Sequence, residues 1–226
     1  MSNPLDEVFT TVKVLDGKAC MLDLHLARLR EHAQIIGLEM PELDLPLGKD
    51  GLLRITIGKT VDFQLREAPE LHRDLRAISC PAPRWHDNLT GVKHGDWLPY
   101  TQARNLAEEA GADIALLIYQ FHIVDGDRAM PIVLDEDGGV WISPPEFGGV
   151  ASITFQAVRS AITAAGIPIR QGRLNERIVA RCHEMVMLGT GVGVARLLSI
   201  DGESVGNNST LLSDICRRAL TEAMAA

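Results

Sequence analysis

Hydrophobic and polar positions change period several times along the chain, and each change marks an element. Residues 8–15 alternate and are rich in β-branched side chains, Asp16-Gly17 is hairpin-turn chemistry, and residues 18–21 pair back. From Leu22 the spacing becomes helical. Leu22, Leu26, Leu29, Ala33 and Ile36 line one face of a helix that runs to about Gly37, with Asp23 as its expected N-cap. His25, Arg28 and His32 share another face at i, i+3 and i+7, which by periodicity alone is a solvated polar stripe. Residues 52–57 and 61–65 predict two strands around Gly58-Lys59, and residues 75–79 a third. Pro81, Pro83, Asp87 and Asn88 then interrupt regular structure. A linker is placed there, between a small α+β domain over residues 1–88 and a larger α+β domain over residues 89–226.

Beyond the linker, the turn-prone residues Asn88 and Gly91 precede Lys93. Leu98, Ala103, Leu106, Ala107 and Ala110 then repeat at helical spacing and stop at Gly111. The apolar run 114–118 reads as a buried strand that continues to about residue 124 and meets Asp125-Gly126-Asp127, which is turn chemistry. Residues 132–134 and 140–142 predict a hairpin around Asp137-Gly138, closed by Ser143-Pro144-Pro145. Gly148-Gly149-Val150-Ala151-Ser152-Ile153-Thr154 opens an amphipathic helix with Ala157, Val158, Ile162 and Ala165 on one face. Residues 176–188 pass from helix to strand and end at Gly189-Thr190-Gly191. A strand over 194–200, an Asp201-Gly202 turn and a helix from about Ser209 complete the pattern, without internal repeats or low-complexity tracts.

Bulk properties narrow the function classes. The chain has 226 residues, 46% hydrophobic and 23% charged, as in soluble globular proteins of one domain or two small ones. A net charge of -8 argues against nucleic acid as the main partner, because a polyanion needs basic surface. No apolar run approaches the roughly 18 residues of a membrane span, and the first residues do not read as a signal peptide, so the cytoplasm is the expected location. Cys20, Cys80, Cys182 and Cys216 lie far apart, which suggests buried thiols rather than a metal site or a disulfide framework.

Candidate chemistry centres on Lys93. Held between a turn and a helix, a lysine has the fixed position and depressed pKa that a Schiff-base lysine needs, whereas a lysine taken alone is ordinarily solvated. The Gly-rich run before Ile153-Thr154 presents free backbone N–H groups and the positive end of a helix dipole, an anion site, although Ser and Thr also cap helices without any ligand.

Together these stretches resemble one family. Lys93, the short polar turn after it, the helix ending Ala-Glu-Glu-Ala-Gly-Ala-Asp and the strand Ala-Leu-Leu-Ile look like the fold-type-IV pyridoxal-phosphate (PLP) enzymes, which include branched-chain and D-amino-acid aminotransferases and aminodeoxychorismate lyase. His25-Leu26-Ala27-Arg28-Leu29 is similar to the family's His-x-x-Arg-Leu motif. Ile153-Thr154 resembles its Gly-Ile-Thr phosphate loop, and Glu184 through Gly191 its Glu-x-Phe-x-x-Gly-Thr-Ala motif. The resemblance implies a two-domain α+β fold, PLP as cofactor, a homodimer, and a small amino donor and 2-oxo acid acceptor as substrates. It implies Lys93 as the catalytic, cofactor-bearing lysine, and Arg28, Ile153, Thr154, Thr190 and Gly191 as phosphate-side residues.

Two departures accompany it. The family's glutamate at the pyridine nitrogen falls on Gly126 when aligned without gaps, leaving Asp125 or Asp127 as the carboxylate after a one-residue shift, or as plain turn aspartates. The chain also begins at the strand matching the family's Phe-Glu-Thr, so its N-terminal domain is expected to be shortened by a hairpin. Transamination is the leading expectation. Elimination of the aminodeoxychorismate lyase type and a non-catalytic PLP- or phosphate-binding relative are the alternatives.

Overall fold

In the computed structural model, residues 6–225 are described. The first alternating run forms β1 (Val8–Leu15), which turns through Asp16 and Gly17, at φ of 50° and 70°, into β2 (Lys18–Ala19). Then come α1 (Leu22–Ile35), β3 (Gly51–Ile57), β4 (Val61–Arg66), β5 (Asp74–Pro81), α2 (Leu98–Glu109), β6 (Ile114–Tyr119), β7 (His122–Gly126), β8 (Met130–Leu134) and β9 (Val140–Ile142). The rest is α3 (Ile153–Ala164), β10 (Ile169–Gln171), β11 (Leu174–Asn175), α4 (Glu176–Ala180), β12 (Glu184–Gly189), β13 (Gly193–Ile200), β14 (Glu203–Ser204) and α5 (Leu211–Ala225).

Two sheets organise these elements. The first has four strands in the order β2-β1-β3-β4, all antiparallel. α1 covers it, burying Leu29 and Ala33 against Val12, Val14, Leu53 and Ile55. α1 begins after Met21, which is left-handed and makes no side-chain cap bond, so the expected Asp23 cap is corrected: Asp23 lies inside the first turn. The helix starts at Leu22, two residues earlier than an Asp23 cap requires, so Asp23 stands in the first turn, at the positive end of the dipole.

The second sheet has ten strands, ordered β10-β9-β8-β12-β13-β5-β6-β7-β11, with β14 paired to β13. β5 runs parallel between β13 and β6 and does not extend the first sheet. The change of sheet therefore falls between Arg66 and Asp74. Leu75 and Ala77 bury against Ile114, Leu116 and Leu197, partners far downstream that no local pattern could assign.

Two further expectations change. The β6–β7 hairpin turns at Gln120 and Phe121, with φ of 47° and 62°, so Asp125-Gly126-Asp127 is not a turn. Gly126 is there for a close approach: a Cβ would stand 2.5 Å from the carbonyl oxygen of Ala129. On α2 the buried face is Tyr100, Ala103 and Ala107, while Leu98 and Leu106 are 59% and 50% exposed. The small alanines let the helix settle onto Ala115 and Leu117 of β6.

On the other side, α3 and α5 share a core of Phe155, Val158, Ile162, Leu212, Ile215 and Cys216 with β8, β9 and β12. Glu184, buried at the start of β12, accepts the N–H groups of Leu212 (2.8 Å) and Ser213 (3.1 Å) and so caps α5. All four cysteines are buried and unpaired. Among the described residues no helix is long and apolar enough to cross a membrane.

Candidate active site

Lys93 lies against the start of β1. Its carbonyl accepts the Phe9 N–H (2.9 Å), its own N–H donates to His32 Nδ1 (3.0 Å), and Gly95 N–H donates to the Glu7 carbonyl (2.8 Å). With His94 bridged to Val8, the lysine backbone is fixed as an extra rung on the first sheet. Its side chain enters a cleft of ≈ 980 Å³ lined from both sheets, with Nζ 4.1 Å from the Trp97 ring centroid and 4.5 Å from that of Phe9. Burial, and then the nearby Arg28 charge, hold the Lys93 ammonium well below the ordinary lysine range.

Arg28 reaches the same cleft from α1. Nη1 donates to the Ala151 carbonyl (2.8 Å) and Nη2 to Thr10 Oγ1 (2.9 Å), and Thr10 Oγ1 lies 2.8 Å from His25 Nδ1. A guanidinium can only donate, so Thr10 Oγ1 accepts from Arg28 and shares a second hydrogen bond with His25 Nδ1, which links the histidine to the fork. Burial and the Arg28 charge lower His25 to about 3. His32 is likewise lowered to about 3 by burial and then by Arg28, and its Nδ1 is taken as acceptor by the Lys93 N–H. Burial lowers Arg28 to about 10, which leaves it cationic at neutral pH, and its Nε is buried without a partner among the described residues.

The solvated-stripe reading of α1 is thus corrected. His25, Arg28 and His32 are all buried, and they position the backbone of Lys93 and the fork of Arg28. Sequence reasoning missed both histidines as site residues. The signal was their i, i+3, i+7 alignment with Arg28.

The N-terminus of α3 forms the opposite wall. Ser152 is its N-cap and accepts the Phe155 N–H (3.2 Å), while Ile153 and Thr154, as first-turn residues, have N–H groups with no intrahelical acceptor. Both line the cleft, as do Thr190 and Gly191 in the turn between β12 and β13.

Asp125 and Asp127 also line it, in different states. Asp125 is buried, and its two oxygens accept the N–H groups of Gly126 (2.9 Å) and Val150 (3.0 Å) with no cation in contact. Burial raises it to about 7, against those two bonds and the Lys93 charge. Asp127 accepts the Ala115 N–H (3.0 Å) through Oδ1, and Arg104 Nε (3.1 Å) and Arg128 Nη1 (2.8 Å) through Oδ2. Arg28, Lys93, Asp125, Asp127, Ile153, Thr154, Thr190 and Gly191 therefore face one cavity. Such a set offers an amine whose proton is loosened by burial, a buried carboxyl group and, around Arg28 and the α3 N-terminus, donors suited to a phosphate.

Comparison with known proteins finds similar molecules. The family described as amino-transferase class IV matches residues 45–200. Among solved structures, a hypothetical aminotransferase from Mycobacterium tuberculosis in its PLP-bound form gives a TM-score of 0.82 at 19% identity, covering 97% of this chain and 89% of that one. A putative 4-amino-4-deoxychorismate lyase from Legionella pneumophila gives 0.82 at 17% identity, covering 96% and 91%. Another structure described as a putative 4-amino-4-deoxychorismate lyase is 27% identical, with a TM-score of 0.77 and coverage of 95% and 89%. No curated protein matches the chain at a significant level.

Proposed function

The chain belongs to the class IV amino-transferase family, and on that premise we propose that it transfers an amino group between a small amino acid and a 2-oxo acid. Its fold is the α+β architecture of fold-type-IV enzymes, and its cofactor is PLP. The observation that carries the reading is the placing of Lys93: a lysine with its backbone locked by Phe9 and His32 and its ammonium held well below the ordinary lysine range by burial and the nearby Arg28 charge.

The residues present fit the cofactor. Arg28 has a buried nitrogen without a partner, the first turn of α3 has unmet donors, and Thr154 and Thr190 add hydroxyls, a donor set for a phosphate dianion. Arg28, Ile153, Thr154, Thr190 and Gly191 would hold the phosphate, and Lys93 would hold the aldehyde carbon through Nζ. Asp125 would face the ring nitrogen, because of the two buried aspartates in the cleft it is the one with no guanidinium bonded to it among the described residues, whereas Asp127 is neutralised by Arg104 and Arg128. When bound, PLP supplies an electron sink for negative charge at the substrate α-carbon. Lys93 Nζ, its proton loosened by burial and its position set by a fixed backbone, takes the α-proton as general base and returns it as general acid. Phe9 and Trp97 flank that nitrogen and exclude water from it.

Elimination of the aminodeoxychorismate lyase type is the second reading, favoured by the two similar structures that carry that description. It begins with the same proton transfer. A homodimer is part of the proposal, supported by the exposed apolar side chains Leu98 and Leu106 on α2 and Phe121, 94% exposed at the β6–β7 turn. A cytoplasmic location fits four buried, unpaired thiols.

The test is an absorbance spectrum with added PLP, then borohydride reduction and mass spectrometry of the Lys93 peptide. A long-wavelength band and a PLP-derived mass on Lys93 are expected, with the band bleached by an amino acid. Pyruvate release from aminodeoxychorismate without bleaching by amino acids would select the lyase. Absence of both band and adduct would overturn the enzyme reading and leave a non-catalytic relative.

A further inference from the structure

Asp125 and Arg28 are tied to the same short loop. Val150 N–H donates to Asp125 Oδ2 (3.0 Å), and the next residue, Ala151, accepts Arg28 Nη1 at its carbonyl (2.8 Å). Ser152 then caps α3, and Ile153 and Thr154 belong to its first turn. Residues 150–154 therefore carry a bond to a buried carboxyl group, a bond to a buried guanidinium, and the free N–H groups of the helix end. Among the described residues, the other N–H on Asp125 is that of Gly126 (2.9 Å), its own neighbour, which travels with it. Val150 is thus the group that holds the carboxyl from outside β7.

Glycine lets the loop reach that far. A side chain at Gly149 would run into the carbonyl oxygen of Val124, and its Cβ would stand 3.4 Å from Cβ of Asp125. The preceding Gly148 has a φ of 123°, which L side chains rarely adopt. The outer side of the loop is held as well. Gly91, two residues before Lys93, packs so closely that a Cβ there would lie 3.3 Å from Pro145 Cβ and 3.6 Å from the Gly149 carbonyl oxygen. Arg84 also donates Nη1 to the Phe147 carbonyl (3.3 Å). Seated between β7 and Gly91, the loop moves as one piece, so its bonds to Asp125 and to Arg28 tighten or loosen together.

We propose that Gly149 is a positioning residue: by seating Val150 on Asp125, it couples an anion held at Arg28 and the α3 N-terminus to the setting of the carboxyl group that receives the cofactor ring. The inference rests on the cofactor reading given above. An anion on Arg28 and on the N–H groups of Ile153 and Thr154 orders residues 150–154, so a ring arriving afterwards meets a carboxyl group already fixed. By linkage, the ring tightens the anion by the same factor. Lys93 and Asp127, whose charges act on Asp125, and Arg28 and Tyr100, on which Asp125 acts, all lie outside the loop. Residues 148–154 contain no charged side chain, so the loop acts on Asp125 through the Val150 bond.

The experiment uses the full chain without cofactor and two probes: pyridoxine, which has the ring but neither aldehyde nor phosphate, and inorganic phosphate. Calorimetry gives the pyridoxine affinity with and without saturating phosphate, in the parent and in Gly149→Ala. Phosphate should tighten pyridoxine about tenfold in the parent and less than about twofold in the variant, which still binds phosphate because Ser152 still caps α3. No coupling in the parent, or the parent's coupling retained in Gly149→Ala, overturns the proposal. Should the variant fail to fold, hydrogen exchange of the Val150 N–H in the parent decides. Phosphate alone should slow it about tenfold, and an unchanged rate overturns the coupling. Binding of neither probe overturns the cofactor reading itself, and the coupling with it.

Discussion

Thr10 Oγ1 and His25 Nδ1 share a hydrogen bond of 2.8 Å, and this one bond fixes how Arg28 is presented to the cleft. Thr10 Oγ1 also accepts from Arg28 Nη2, so the hydroxyl ties the buried histidine to the guanidinium. Thr10→Val should therefore weaken PLP about tenfold, while Thr10→Ser restores it. Pyridoxal, which lacks the phosphate, should bind the valine variant and the parent alike. Fluorescence titration with both ligands checks this, and equal losses for PLP and pyridoxal would show that Thr10 does not act through the phosphate.

His25 and His32 also set the acid limit of stability. Both are lowered to about 3 in the fold, from about 6.5. A depressed pKa gives stability that is full above the unfolded value and is lost as pH falls toward the folded one, so the loss spans about pH 6.5 to 3. Each histidine can contribute up to a few kcal/mol over that range. The urea midpoint should fall steadily below about pH 6. In His25→Asn, whose amide oxygen still accepts from Thr10, the fall should be shallower. An identical pH profile for the variant would remove His25 from the account.

Asp125 titrates in the opposite sense. Its pKa is raised to about 7, so in the unloaded protein it contributes stability at low pH that is lost as pH climbs from about 4 to 7. Asp125→Asn should raise the melting temperature of unloaded protein at pH 8 and slow α-proton transfer by about a hundredfold or more, with PLP retained. Asp127→Asn should instead destabilise by a few kcal/mol, because Arg104 and Arg128 lose their countercharge. If Asp127→Asn alone slowed proton transfer, the ring-nitrogen role would pass to Asp127.

Glu184 holds the other end of the molecule. Its carboxylate accepts the first free N–H groups of α5, and Glu184→Ala should cost about 1–3 kcal/mol by leaving buried donors unmet. PLP affinity should not change, since Glu184 does not line the cleft. A weakened PLP affinity at unchanged denaturant midpoint would contradict the capping role.

Much of this was legible along the chain. Strand alternation at Val8–Leu15 and the glycine after α2 are local signals, so those elements fall where the pattern puts them. Anchors carried by resemblance, Arg28, Lys93, Ile153-Thr154 and Thr190, meet in one cavity. The Asp125-Gly126-Asp127 turn was not legible correctly. An Asp-Gly pair has the same composition whether glycine serves a turn or, as here, makes room for the Ala129 carbonyl.

By itself, then, the sequence determined the period of most elements and the identity of the motif residues, because these depend on neighbours a few positions away. Tertiary structure decided where α1 is capped, which sheet receives β5, which face of α1 is buried, and which aspartate is left without a guanidinium. Those outcomes depend on partners far off in the chain: Ile114 and Leu197 for β5, Thr10 and Ala151 for Arg28, and Arg104 for Asp127. Burial and countercharge exist only once such partners have met, and burial is what holds Lys93 well below the ordinary lysine range.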